Sequence, residues 1–228
     1  MRYIEKRDTE PECLSEHKAE CRELGIPEPW LYKDFRRTGE LRSILCEEQH
    51  NVCCYCQRQV NGFRIEHSYP EHGPDKEISA CLQLDYTNMF ASCIDSQCYP
   101  KELQHCDVAK GNEVIREFIK EKGCQSYFKY LSTGEIAPKG NFFTLKEYED
   151  AEILTPDEQD ALNAIHILNL NCHTLVEDRK TCLTELLELI PTRNKDEWRQ
   201  TICSWLTAPI FPSYIELRLQ YLIKYLQP

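Results

Sequence analysis

No apolar run in the chain reaches the ~18 residues that a membrane-spanning helix needs, and residues 1–11 carry charge throughout. Neither a membrane span nor a secretion signal is therefore expected, and a cytoplasmic location without membrane contact is anticipated. Clustered positive charge is also scarce: no basic run is longer than Arg36-Arg37, and the formal net charge is -11. A protein that grips phosphates by its own overall field needs more Lys and Arg than this. If the chain acts on nucleic acid, a partner is expected to help hold the substrate. Internal repeats and low-complexity segments are absent as well.

What is present is enough chain, 228 residues, to bury a core, and fourteen cysteines. Without a secretion signal, these read as thiols and metal ligands rather than disulfides. Cys172, Cys182 and Cys203 fall in apolar-periodic helical stretches and are expected to pack as small hydrophobes, as are Cys13, Cys21, Cys46, Cys81 and Cys124. Four segments follow from composition. Residues 1–50 are polar and helical, broken at Pro27 and Pro29, with a second helical stretch over residues 32–50. Residues 51–123 crowd Cys, His, Asn, Gly and Pro where a metal site replaces an ordinary core. Within residues 124–150, a strand, the turn Ser132-Thr133-Gly134 and a second strand predict a hairpin. Residues 151–228 are mostly helical, opening on the capping box Thr155-Pro156-Asp157-Glu158. His166 and His173 lie seven apart in this last segment, but no carboxylate motif accompanies them, and they are expected to be ordinary histidines.

The chemistry concentrates in the second segment. Cys53 and Cys56 form a CxxC knuckle that places two thiolates on one tetrahedral zinc. Cys93, Cys98 and Cys106 supply the second pair. Local spacing favours Cys93 with Cys98, because Cys106 requires a twelve-residue excursion through Pro100. Cys54 is directed away on a turn its neighbours already use. Between the pairs, Ile65-Glu66-His67 leads an acid and a histidine to a strand end set by Pro70. Asn88 follows, and Asp107 stands near a helix start. A two-Cys-two-His finger built on Cys53, Cys56, His67 and His72 is the competing metal site. It needs a helix under both histidines, which Pro70, Gly73 and Pro74 oppose.

Taken together, Cys53-Cys54-Tyr55-Cys56, Ile65-Glu66-His67, Leu84-Asp85-Tyr86-Thr87-Asn88 and His105-Cys106-Asp107 resemble the HNH endonucleases. The likeness is to the PtuB-like group of Septu and retron anti-phage systems, over residues 51–112. The resemblance implies an α+β fold, with a ββα-metal core and its structural zinc embedded in a mostly helical chain. It implies His67 as general base, Asn88 as the residue orienting it, and Glu66 and Asp107 as ligands of a catalytic Mg²⁺ or another divalent ion. It selects Cys106 as the fourth zinc ligand, with Cys98 as the alternate. A companion ATPase, PtuA-like, and in retrons a reverse transcriptase with its RNA-DNA product, are the partners it implies.

On this reading a neutral imidazole takes the proton from water while the cation offsets charge developing on a phosphodiester. Lys110, one turn beyond Asp107, either neutralises a neighbouring phosphate or caps surface charge. Trp198, Trp205, Phe211, Tyr214, Tyr221 and Tyr225 offer either a contact surface for the partner or the chain's own core. The alternative functional expectation is a non-catalytic zinc-binding adaptor that uses the same scaffold for partner binding.

Overall fold

In the computed structural model, residues 1–59 and 62–227 are described; they form an α+β chain, about half helical, with two small antiparallel sheets. The N-terminal segment holds helices α1 (Glu12–Glu23) and α2 (Thr38–Glu48). Continuous helix begins later than the sequence pattern suggests, since Tyr32–Asp34 makes a single 3-10 turn before the chain extends. Leu14 on α1 and Leu41 and Leu45 on α2 are fully buried. α2 packs on strands β1 (Phe63–His67) and β2 (Met89–Cys93), which pair antiparallel with Ile65 opposite Ala91 and His67 opposite Met89. Every residue of β2 is buried. Covered on both faces, a strand carries an apolar run rather than alternation, as Met89-Phe90-Ala91 does.

Between the strands, α3 (Lys76–Leu82) starts at Asp75, whose carboxylate accepts from the Glu77 and Ile78 N–H groups at 3.0 Å each. Beyond β2 the chain reaches the single turn α4 (Asp107–Lys110). The expected hairpin is present as β3 (Phe128–Tyr130) and β4 (Ile136–Pro138). Then follow α5 (Leu145–Glu149), α6 (Pro156–Ile167), α7 (His173–Leu189), α8 (Lys195–Thr207) and α9 (Ile215–Leu226). The capping box opens α6 as expected: the Glu158 N–H donates to the Thr155 hydroxyl at 3.3 Å, and the Thr155 N–H donates to the Glu158 carboxylate at 2.9 Å. No helix among the described residues is long and apolar enough to cross a membrane.

One buried cluster runs through all four segments, from Met1, Leu14 and Leu41 through Phe90 and Phe118 to Ile165, Leu183 and Leu217. Trp198, Phe211 and Tyr214 are buried, and Trp205, Tyr221 and Tyr225 pack against buried clusters, so these aromatics serve the chain's own interior. Two cysteines depart from the expected burial: Cys81 and Cys203 lie on the outer sides of α3 and α8 and are exposed. His166 and His173 do not share a helix, because Asn169 at φ 47° breaks the chain between α6 and α7. His166 is exposed and its ring nitrogen stands 3.0 Å from Glu149.

The hairpin is held to α7 at its turn. The Arg179 guanidinium, buried within α7, donates to the Gly134 and Leu170 carbonyls at 2.6 and 2.5 Å. Gly134 has φ 87°, and a Cβ there would stand 2.3 Å from the Val176 carbonyl oxygen. Both the left-handed backbone and the close approach demand glycine. Gly134→Ala is expected to destabilise the protein by about 2 kcal/mol or more in urea unfolding, and wild-type stability in that variant would show the contact to be dispensable.

Candidate metal centre and adjoining cleft

Four thiols converge from three separate parts of the chain. Cys53 and Cys56 lie on the tight turn after α2, where Gln57 adopts φ 64° and its N–H donates to the Cys53 carbonyl at 3.1 Å. Cys93 ends β2 and Cys106 directly precedes α4. Their sulfur atoms all lie within 4.8 Å of one another and all four residues are buried. The Cys53 and Cys106 sulfurs are 3.8 Å apart. An S–S edge of ~3.8 Å is what a tetrahedral ion with ~2.3 Å Zn–S bonds requires, so the four cysteines can hold a metal such as zinc.

Cys98, which local spacing favours, is exposed and outside this group. The excursion between Cys93 and Cys106 closes because the buried Ser96 hydroxyl binds both sides of His105, accepting from its N–H at 2.7 Å and donating to its carbonyl at 2.9 Å. Spacing statistics could not anticipate that clasp. Cys54 contributes differently: its N–H donates to the Ala91 carbonyl at 3.0 Å, joining the knuckle to β2. His105 Nδ1 stands 3.3 Å from the Cys106 sulfur and 3.6 Å from that of Cys93, within reach of donating to both.

The electrostatics of the thiols call for a cation. Burial would raise Cys53, but hydrogen bonds from the Cys106, Cys54, Cys56 and Cys93 thiols outweigh it and bring Cys53 well below the ordinary thiol range. Burial, then Cys53, Cys56 and Cys93, push Cys106 well above that range. Four buried thiolates this close together need a divalent ion to offset their charge.

Beside this centre a cleft of about 270 Å³ is lined by Arg64, Glu66, His67, Glu71, His72 and Asp107, among others. A larger cleft of about 600 Å³ near Trp30 and Cys81 holds none of these groups. Glu66 is 2 % exposed. One of its oxygens, Oε1, accepts from the Tyr55 hydroxyl at 2.7 Å and from the Lys110 ammonium at 2.6 Å. Burial first, then the adjoining Asp107 charge, raise the Glu66 carboxyl well above its usual range, with Lys110 opposing. Across the cleft, Arg64 Nε stands 2.5 Å from Asp107 Oδ2. Their contact is a charge pair in which the buried Asp107 Oδ2 makes no aligned hydrogen bond.

His67 ends β1, and His72 lies in the turn beyond Pro70, so neither rides on a helix and the finger geometry is not formed. Nε2 of His67 is 3.0 Å from the Gln83 carbonyl oxygen. A carbonyl can only accept, which fixes the proton of the neutral ring on Nε2 and leaves Nδ1 as the basic nitrogen. Nδ1 is 3.4 Å from Glu71 Oε1. Burial lowers the pKa of His67 below the ordinary 6.5, against the opposing pull of Glu71.

Two residues stand elsewhere than expected. Asn88 does not touch His67: its amide accepts from the Tyr69 N–H at 2.7 Å and donates to the Tyr69 and Leu82 carbonyls at 3.0 and 3.2 Å. It shapes the bend beyond His67, while Gln83 supplies the orienting contact. Lys110 faces neither solvent nor an open phosphate position, being 1 % exposed with its ammonium on Glu66 and, at 2.8 Å, on the His67 carbonyl. The helix is so short that its fourth residue is turned directly under β1. Tyr55, Gln83, Arg64 and Glu71 were not singled out by the sequence. A backbone carbonyl such as that of Gln83 leaves no residue-type signal, and Tyr55 gives no sign of pointing away from the thiols that flank it.

No protein-family model matches the chain, and no curated protein matches it. Its functional reading therefore rests on the residues themselves. Two outcomes follow from their geometry. Cys53→Ser is expected to lose zinc and the near-native circular dichroism of the core, whereas Cys98→Ser keeps both. Tyr55→Phe is expected to retain its full zinc content while losing about 1–3 kcal/mol in chemical unfolding, because it strips one of two donors from a buried carboxylate; zinc loss in that variant would make Tyr55 part of the thiol turn's own support.

Proposed function

We propose that this chain is a metal-dependent endonuclease of the HNH type, hydrolysing phosphodiester bonds from the cleft formed by His67, Glu66 and Asp107. The observation that carries the reading is His67: buried, held in its neutral form by its surroundings, and fixed through Nε2 so that Nδ1 is the basic atom. That is the state a general base needs near neutral pH. The two strands and the single turn α4 bring Glu66 and Asp107 to the same cleft, consistent with a ββα-metal core whose structural zinc sits on the four cysteines. The donor set of two carboxylates fits a hard cation such as Mg²⁺, which retains water and takes substrate oxygens in its remaining positions. When bound, such an ion would offset the negative charge that develops on the phosphate and its leaving oxygen.

His67 accepts the proton of the attacking water at Nδ1, and the Gln83 carbonyl keeps the ring from turning as it becomes charged. Asn88 acts at one remove as a positioning residue, by fixing the bend that follows His67. Lys110 holds Glu66 and the His67 backbone in one place. The acidic balance of the chain, -11 at pH 7, supports a partner that delivers nucleic acid. We extend the proposal to a companion ATPase of the PtuA-like kind in an anti-phage complex and, in the retron arrangement, to a reverse transcriptase with its RNA-DNA product.

A second reading is favoured by one specific observation: Glu66 and Asp107 already have basic partners, Lys110 and Arg64. A zinc-binding adaptor in which these two carboxylates are already paired needs no catalytic ion. The experiment that separates the two is nucleic-acid cleavage in cells co-expressing the chain with its genomic neighbours and a trigger, with both DNA and RNA examined. His67→Ala is expected to remain folded and to lower cleavage ~100- to 10,000-fold; equal cleavage or equal protection with the variant would establish the adaptor. Because His67 titrates below 6.5, its base form persists through neutral pH, and the acid limb of the rate is expected below that value. An acid limb above it would remove His67 from the role.

A further inference from the structure

The charged groups of the cleft differ in their freedom to move. Lys110 is 1 % exposed, and its ammonium is fixed by the Glu66 carboxylate at 2.6 Å and the His67 carbonyl at 2.8 Å. Arg64 has a side chain 40 % exposed, and its contact with Asp107 Oδ2 lacks aligned hydrogen-bond geometry. Glu66 and Asp107, the two ligand carboxylates of the reading above, are thus each paired with a basic group. A divalent cation entering alone finds Lys110 on one of its two carboxylate ligands and must displace the Arg64 guanidinium from the other. A phosphodiester entering with it changes that balance, because a guanidinium exchanges a carboxylate for a phosphate with little loss: each presents two oxygens to its planar fork of N–H groups.

We propose that Arg64 is a phosphodiester-binding residue that exchanges Asp107 for the backbone phosphate of a nucleic acid, so that nucleic acid and divalent cation bind the cleft as a coupled pair. The proposal rests on the nuclease reading above and adds to it a binding residue and a mutual dependence. Position supports it: Arg64 and Glu66 alternate onto the same side of β1, and Arg64 lines the same cleft as His67 and Asp107. Exchange leaves Asp107 free to ligate at the moment a phosphate arrives and supplies positive charge to that phosphate in a chain with no basic cluster. By linkage, whatever the nucleic acid adds to cation affinity, the cation adds to nucleic-acid affinity. A cleft whose two ligand carboxylates are paired at rest also holds the ion more weakly until substrate is delivered.

The test measures Mn²⁺ binding to the full-length zinc-loaded chain by calorimetry, alone and with a short phosphorothioate DNA or its RNA counterpart. Wild type is expected to bind Mn²⁺ ~10- to 100-fold tighter with the favoured oligonucleotide, and the DNA and RNA arms identify which one that is. Arg64→Gln is expected to bind Mn²⁺ alone more tightly than wild type, to bind the oligonucleotide more weakly, and to show a smaller coupling. Arg64→Lys, which keeps the charge, should restore part of it. Circular dichroism and zinc content equal to wild type certify the fold of each variant. Unchanged Mn²⁺ affinity and coupling in Arg64→Gln, with Mn²⁺ binding abolished by Asp107→Asn, would overturn the exchange and leave the nuclease reading standing. Mn²⁺ binding indifferent to Asp107→Asn would overturn both.

Discussion

Four thiols within 4.8 Å of one another, all buried, set the constraint around which the rest of this protein is arranged. Unneutralised, they cannot share that space as thiolates, and a tetrahedral ion is the simplest physical remedy. Their places in the chain explain why the arrangement matters. They tie the turn after α2 to the end of β2 and to the start of α4; β2 pairs with β1, which carries Glu66 and His67, and α4 carries Asp107, so all three reach one cleft. A fixed separation between a strand and a one-turn helix cannot come from the helix itself, since four residues bury too little surface to dock alone.

Tyr55 carries that constraint into the cleft. Flanked by Cys54 and Cys56 in the thiol turn, it reaches the Glu66 carboxylate, which Lys110 engages from the other side. A buried ion pair of this kind is weak evidence for stability, because desolvating both charges cancels much of their attraction. Its value lies in geometry. With Oε1 committed to Tyr55 and Lys110, the orientation of the Glu66 carboxylate is fixed. His67 is treated similarly: one ring nitrogen is held by the Gln83 carbonyl and the other faces Glu71.

The surrounding helices serve this centre by enclosing it. The N-terminal segment contributes α2 against both strands, and the Tyr32 ring meets the His67 ring edge-on at a centroid distance of 4.8 Å. From the opposite end of the chain, the Cys106 N–H donates to the Leu168 carbonyl at 2.8 Å, and the Tyr214 N–H donates to the Gln57 carbonyl at 2.8 Å beside the thiol turn. The continuous core that results makes the rigidity of the cleft depend on segments far from it in sequence. This is also why the aromatics of α8 and α9 are absorbed internally rather than displayed.

Local chemistry determined much of what the sequence by itself discloses. The Thr155 capping box, the Gly134 hairpin turn, the CxxC turn and the strand end before Pro70 are each fixed by a few neighbouring residues, so their residue types suffice to place them. The choice of Cys106 over Cys98, the inward turn of Lys110, the diversion of Asn88 to Tyr69, and the contacts of Tyr55 and Arg64 were decided by tertiary structure alone. Each depends on a partner brought from another element: Ser96 clasping His105, α4 lying beneath β1, or a bend that meets an amide side chain. Spacing along the chain limits which atoms can meet, but within those limits the choice belongs to packing, because a buried polar group takes whichever partner the fold brings within reach.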